Sequence, residues 1–156
     1  MSLRTITSAA VAAAVAASFA VSAIAATPAE TIKDRQGHMK QIGKATKAVF
    51  DELKKPDPSI ATFQASGKTL DELAPQVPNW FPAGTGPEAG VKTEALPVIW
   101  TKNDDFKKAA ANLATQAHAF NLAAQSGSLD QVKAAAPKLG GACKACHDQF
   151  KAKDEH

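Results

Sequence analysis

Three chemically competent side chains lie close together near the end of the sequence, in the pentapeptide Cys143-Lys144-Ala145-Cys146-His147. This is the C-x-x-C-H pattern of covalent haem attachment. Two thiols one helical turn apart can add to the two vinyl groups on one edge of a porphyrin, and the next residue then holds its imidazole beneath the ring. We therefore predict one covalent haem c, attached to Cys143 and Cys146, with His147 as an axial ligand to the iron.

Other interpretations of these cysteines remain open at this point. A structural zinc site needs about four ligands, usually from two such pairs, and the chain has only two cysteines. A thioredoxin-like redox pair should open a helix that follows a strand, whereas this pair lies near the end of a chain with almost no strand signals. A plain disulfide would leave His147 without a role. Each of these fits the motif less well than haem attachment does.

A second axial ligand could come from Met39, the only methionine that remains once an N-terminal leader is removed. A thioether bonded to the iron opposite a histidine gives a low-spin haem with a raised potential, which suits electron transfer. The alternative is a core methionine that fills a gap, which leaves the iron five-coordinate.

The other histidines are weaker candidates for that position. His38 lies about 100° around the helix from Met39, so both cannot face the iron, and we expect His38 to face solvent. His118 is expected at the edge of the core or on the surface, and His156 is terminal.

Residues 1–25 are typical of a secretory signal peptide. Arg4 supplies positive charge, an apolar stretch of small residues follows, and a small-x-small pattern ends at Ala25. We predict cleavage after Ala25 or Ala26, which leaves one domain of residues 26–156. The alternative is an uncleaved anchor, but the alanine-rich stretch is weakly hydrophobic for a membrane span. Export favours the periplasm of a Gram-negative bacterium, with no membrane span after cleavage.

The remaining chain predicts an all-α fold, an antiparallel four-helix bundle with a long loop between helices 2 and 3. Apolar residues recur near the helical period, two capping boxes begin at Thr27 and Ser128, and Asn103 is a candidate N-cap. The long loop covers residues 79–102. The predicted helices cover residues 28–55, 59 to 73 or 77, 103–125 and 128 to about 153.

The charge balance excludes one broad class of partner. Removal of Arg4 with the signal leaves 17 basic against 15 acidic residues, spread along the chain. A nucleic-acid-binding domain would carry a clustered basic face. We therefore expect no nucleic-acid partner.

A C-x-x-C-H motif near the C-terminus of a four-helix bundle resembles the class II c-type cytochromes, the cytochrome c′ family. Their low-spin relatives of the c-556 type are the most similar branch, because the Met39-to-Gly43 stretch, the Phe81-to-Gly84 segment and the Trp100…Phe106 spacing match it. Class I cytochromes c carry the motif near the N-terminus instead. The resemblance spans the mature chain and includes the Arg35-to-Met39 stretch. It implies that Arg35 lies near a haem propionate and that Met39 faces the distal side of the iron.

The resemblance also implies a function. A member of the c-556 branch is a periplasmic electron carrier with a low-spin His/Met haem, which serves redox partner proteins and is not an enzyme. The alternative is a five-coordinate cytochrome c′ that binds NO or CO. Family members often pair through their first two helices, so a homodimer is compatible with the resemblance.

Overall fold

The structure, a computed structural model, describes residues 26–153, and within that range it contains four long helices and no strand. The helices are α1 (Pro28–Glu52), α2 (Ile60–Leu73), α3 (Asn103–Gln125) and α4 (Leu129–Phe150). The predicted all-α bundle is confirmed. The predicted signal peptide of residues 1–25 lies outside the described residues, as does His156. No helix between residues 26 and 153 is both long and apolar enough to span a bilayer.

Side chains fix both ends of α1. The hydroxyl of Thr27 accepts a hydrogen bond from the Glu30 amide at 3.3 Å, and the Glu30 carboxylate accepts one from the Thr27 amide at 2.8 Å. This capping box satisfies donors that the first helical turn leaves free. At the other end the buried Glu52 carboxylate accepts from the Ser59 amide at 2.8 Å and pairs with Lys55 at 2.8 Å. Glu52 thus sets the tight turn into α2.

Successive helices pack side by side, whereas the closing pair, α1 and α4, make few contacts. Many alanines in the core let the helices approach closely, and α2 comes so near α3 that a Cβ on Gly67 would stand 3.0 Å from the Cα of Asn121. The largest fully buried side chains are Phe63, Phe120, Ile32, Leu70, Ile99, Leu139, Val49, Val77 and Val132. The open seam of the bundle is therefore the one between α1 and α4.

The connection from α2 to α3, called the crossover here, is the predicted long loop. It begins with a 3₁₀ helix, Ala74–Trp80, and it ends with a single helical turn, Val98–Thr101. The backbone amide of Leu96 donates to the carbonyl of Phe150 at 3.0 Å. The crossover is thereby attached to the end of α4, next to the cysteine motif.

Local details of the helix ends differ from the sequence predictions. Asn103 is not an N-cap, because helix α3 starts at this residue and its side-chain amide donates to the carbonyl of Ile99 at 3.3 Å. Helix α4 ends at Phe150 rather than near residue 153, because Lys151 turns into an extended bridge with Ala95. Pro137 lies inside α4 without ending it.

Candidate haem site

A cavity of about 780 Å³ opens between α1, the end of α4 and the crossover. This volume falls within the range of about 300–1,000 Å³ that small-molecule and cofactor sites occupy. Buried apolar side chains of α3 form part of its wall, and exposed lysines stand at its mouth. All five predicted site residues line this cavity: Arg35, Met39, Cys143, Cys146 and His147.

The cysteine wall of the cavity belongs to the last turns of α4. Cys143 and Cys146 are half-buried and are not joined by a disulfide. Three residues apart on a helix, they lie on one face. Burial raises the pKa of the Cys146 thiol to about 11, and it also raises the pKa of Cys143. Burial therefore disfavours the thiolate form of both cysteines before haem is attached.

His147 follows on the same wall, at the exposed edge of the cavity. Partial burial and the positive charge of Lys151 lower the pKa of its imidazole. Its backbone carbonyl accepts from the Lys151 amide at 3.1 Å, which closes the last turn of α4. A neutral imidazole held on a regular helical turn is the form that binds a metal ion.

Helix α1 supplies the facing wall through a stripe of residues spaced by four, three and four positions: Met39, Gly43, Thr46 and Phe50. This spacing places them on one side of the helix. A Cβ on Gly43 would meet nothing within 4 Å, so the helix surface is open there. The Thr46 hydroxyl is buried and interacts with the Cys143 thiol on the facing wall. The stripe therefore offers one thioether, one open patch of backbone and one buried hydroxyl.

Arg35, one turn before Met39, is buried at 3% exposure rather than solvated. Its guanidinium donates to the Thr85 hydroxyl at 3.1 Å, to the Thr85 carbonyl at 3.0 Å and to the Thr93 hydroxyl at 3.0 Å. It also lies 4.5 Å from the ring centroid of Phe81. Arg35 thus joins α1 to the crossover at the cavity wall.

No carboxylate among residues 26–153 pairs with Arg35, and desolvation lowers the pKa of its guanidinium. A buried charge without a counter-ion is costly. An anionic group entering the cavity would compensate that charge.

His38 is the one histidine that departs from its predicted position. It is half-buried rather than solvent-facing, because its ring stacks on Trp80 with centroids 4.6 Å apart. Its Nδ1 is buried without a partner. Neither ring lines the cavity. Sequence reasoning missed this contact because Trp80 belongs to a segment whose path no local pattern predicts.

His118 is exposed, as predicted, and its Nδ1 lies 3.1 Å from the Asp71 carboxylate on α2. Asn121 donates to the same carboxylate at 2.8 Å. His118 is thus part of a surface link between α2 and α3, away from the cavity.

The competing interpretations of the cysteines fit this geometry poorly. No cluster of three or more histidine, cysteine or acidic side chains suitable for a metal ion occurs within the described range. The pair lies at the end of a helix with raised thiol pKa values, whereas a thioredoxin-like pair lies at a helix start with a lowered one.

The residues of the cavity do fit a haem. A planar apolar ring requires an apolar slot, and Gly43 leaves space along α1 where any larger side chain would protrude. A haem also carries two propionates, and Arg35 is a buried cation without a counter-ion. Haem c further requires two thiols and a histidine on one helical turn, which α4 provides.

The Cytochrome C' family model matches residues 30–151 of the chain. A cytochrome c' from Pararhodospirillum photometricum is 35% identical over 81% of this chain and 99% of its own length. A cytochrome c-556 from Agrobacterium tumefaciens (strain B2A) is 37% identical over 78% of this chain and 97% of its own length. A structure of cytochrome c prime from Alcaligenes xylosoxidans, a ferrous variant with bound NO, superimposes with a TM-score of 0.74. That structure is 27% identical, and the match covers 84% of this chain and all of the other.

Proposed function

Since the chain belongs to the cytochrome c′ family, whose proteins bind one covalent haem c with iron, we propose that it is a periplasmic electron carrier. In this proposal Cys143 and Cys146 form the two thioethers, and His147 and Met39 are the axial ligands of a low-spin iron. The haem supplies a reversible one-electron couple.

The position of Met39 is the observation that carries this proposal. Met39 lines the same cavity as Cys143, Cys146 and His147, and it does so from the opposite wall. It is half-buried against the core, so its thioether is held in an apolar setting rather than in solvent. A histidine on one wall and a methionine on the other form the donor set of low-spin carriers.

The other residues of the cavity hold the cofactor and limit water access. Arg35 compensates a propionate, and its three hydrogen bonds to the crossover keep it in place. The rings of Phe106 and Phe150 pack edge to face with centroids 5.3 Å apart, and they close the apolar side of the cavity. Because the bundle around the site is closely packed, its side chains can rearrange little when the charge of the cofactor changes. Electron transfer would therefore require little movement of the protein. We propose no substrate transformation.

Export is part of the same proposal. The family match covers residues 30–151 and starts after the predicted signal of residues 1–25, which supports a haem domain of residues 26–156. Haem c is matured outside the bacterial cytoplasm, which agrees with an exported chain. Mass spectrometry of the secreted holoprotein tests both points, because it reports the new N-terminus and the mass added by one haem.

The absorbance spectrum of the holoprotein tests the ligand assignment. We expect a low-spin spectrum with a methionine–iron charge-transfer band, unaltered by CO. The Met39→Ala variant should become high-spin and bind CO, whereas Gln41→Ala, on the exposed side of α1, should match the wild type. An unchanged spectrum in Met39→Ala would falsify the assignment of Met39.

A five-coordinate cytochrome that binds NO or CO is the second candidate. It is favoured by the match to the structure with bound NO, and by the c' relative that is 35% identical. In that case Met39 is a wall residue of an open distal face. The wild type would then show a high-spin spectrum that shifts on addition of CO.

A further inference from the structure

Lysines are concentrated at the mouth of the cavity. Lys40 and Lys47 lie on α1 on either side of the open Gly43 patch, about 10 Å apart along the helix axis. Lys92 reaches the mouth from the crossover and Lys151 from the end of α4. These four lysines, called the mouth lysines here, come from three separate segments of the chain.

One hydrogen bond explains why Lys40 and Lys92 converge. The side-chain amide of Gln36 on α1 donates to the backbone carbonyl of Lys92 at 3.0 Å. Lys40 follows Gln36 by one helical turn, on the same side of α1. Gln36 thus ties the backbone at Lys92 to α1 one helical turn before Lys40, and both lysines are exposed at the same cavity.

The protein side chains at the mouth carry excess positive charge even after their ion pairs are counted. Lys47 pairs with Asp51, and Lys151 lies 3.1 Å from Glu94. Lys40 and Lys92 form no ion pair within residues 26–153. The whole mature chain carries a formal charge of only about +2 from 17 basic and 15 acidic residues, so this is a local concentration of charge.

We propose that the mouth lysines dock the acidic face of a redox partner protein, with Lys40 and Lys92 as the principal contacts. This inference rests on the proposed function of the chain as an electron carrier. Complementary charge mainly raises the association rate and fixes the orientation of the two proteins, and it adds less to their affinity. The result is a short-lived complex in which the partner faces the open edge of α1 at Gly43, where a Cβ would meet no protein atom within 4 Å.

A membrane surface fits these residues less well. Helices that lie on membranes combine basic residues with a broad exposed apolar face. Among the described residues the exposed large hydrophobic side chain is Leu122 on α3, and it does not line the cavity. An anionic protein surface needs no such apolar contact, so it is the better match.

A gold electrode coated with a carboxylate-terminated monolayer serves as the probe, because it imitates an acidic partner face and reports electron transfer directly. Wild-type holoprotein is compared with the double variant Lys40→Glu/Lys92→Glu. The matched control is Lys107→Glu/Lys133→Glu, which changes net charge equally on exposed sites of α3 and α4 outside the cavity, at lysines that likewise form no ion pair within residues 26–153.

We expect the mouth variant to lose about tenfold or more in interfacial electron-transfer rate at low salt. The control should retain most of the wild-type rate, and Lys40→Gln/Lys92→Gln should fall between the two. High salt should bring all variants together, because exposed charges are then screened.

Several results would overturn the docking proposal. If both double variants slowed equally, the effect on the electron-transfer rate would come from net charge and not from the position of the lysines. If neither variant slowed, the mouth lysines would have no role in docking. Loss of haem or an altered absorbance spectrum in the mouth variant would mean that Lys40 and Lys92 help to hold the cofactor and do not dock a partner. Binding of the wild type, but not the mouth variant, to phosphatidylglycerol vesicles would make a membrane the occupant. The carrier proposal fails on a separate readout, a high-spin wild type that binds CO.

Discussion

The Arg35 guanidinium on α1 donates hydrogen bonds to both the hydroxyl and the backbone carbonyl of Thr85 in the crossover, at 3.1 and 3.0 Å. The two residues are fifty positions apart in the chain. Because Arg35 also lines the cavity, a single side chain links the fold of the longest connection to the proposed cofactor site.

Arg35→Lys should lower the free energy of unfolding by about 1–3 kcal/mol, because lysine keeps the charge but cannot reach Thr85 and Thr93 together with a planar fork. Urea unfolding of the holoprotein, followed by circular dichroism, measures the change. Thr85→Val removes one acceptor of Arg35 together with the hydrogen bond that the same hydroxyl donates to the Pro82 carbonyl at 2.7 Å, so it should be destabilising as well. Equal stability of Arg35→Lys and wild type would show that these bonds contribute nothing measurable.

Arg35→Gln tests the electrostatic role separately from the fold. A buried positive charge beside the haem disfavours the more positive oxidised state. Its removal should therefore shift the midpoint potential to more negative values, which a spectroscopic redox titration measures. An unchanged potential would place Arg35 outside the electrostatic reach of the cofactor.

The helices and the covalent ligands could be predicted from the sequence because their signals are local. Capping residues such as Thr27 lie within one turn of the groups they satisfy, and Cys143, Cys146 and His147 form a contiguous motif. The core periodicity of α1 is likewise visible in the spacing of Ile32, Ile42 and Val49, which are all buried. Each of these features depends on residues only a few positions apart.

Contacts that depend on the path of the crossover could not be predicted. The stack of His38 on Trp80 joins residues 42 positions apart, and the contact between Arg35 and Thr93 spans 58. Neither periodicity nor composition predicts such contacts, because they depend on how the crossover packs against the end of the bundle. The convergence of Lys92 on Lys40 was hidden for the same reason.

The two glycines of α1 should respond differently to alanine. A Cβ on either Gly37 or Gly43 meets nothing within 4 Å of the protein, but only Gly43 lines the cavity. Gly37→Ala should stabilise the holoprotein by about 0.5–1 kcal/mol, the usual gain of replacing glycine within a helix. Gly43→Ala should gain less, because its methyl group enters the space proposed for the porphyrin.

Gly43→Leu extends this comparison. The larger side chain should lower the fraction of chains that carry haem and shift the Soret band, both read from the absorbance spectrum against total protein. Full haem content with an unaltered spectrum would mean that the cofactor does not approach this part of α1.

Stability should fall in mild acid partly through Glu52. Hydrogen bonds from Lys55 and the Ser59 amide lower the pKa of this carboxyl below its ordinary value of 4.5. The folded state therefore holds the charged form more tightly than the unfolded chain does, so this contribution is present above about pH 4.5 and is lost as the pH falls through the lowered pKa. Urea midpoints measured between pH 6 and pH 3 should decline less for Glu52→Gln than for wild type. If the midpoints of both proteins fell in parallel, Glu52 would not contribute to the loss of stability in acid.

Adjacent glycines of α4 provide the sharpest test of the cavity wall opposite α1. A Cβ on Gly140 would stand 2.9 Å from Cζ of Phe50, which lines the cavity, whereas a Cβ on Gly141 would meet nothing within 4 Å. Gly140→Ala should therefore push the Phe50 ring towards the haem, lower the thermal midpoint and shift the Soret band. Gly141→Ala should leave the spectrum unchanged and raise the midpoint slightly, because alanine favours the helix. If Gly140→Ala gave the same spectrum and thermal midpoint as Gly141→Ala, the close approach of Phe50 to α4 would affect neither the haem environment nor the stability. Phe50→Leu in the Gly140→Ala background should restore the spectrum, since the shorter side chain leaves room for the new methyl group.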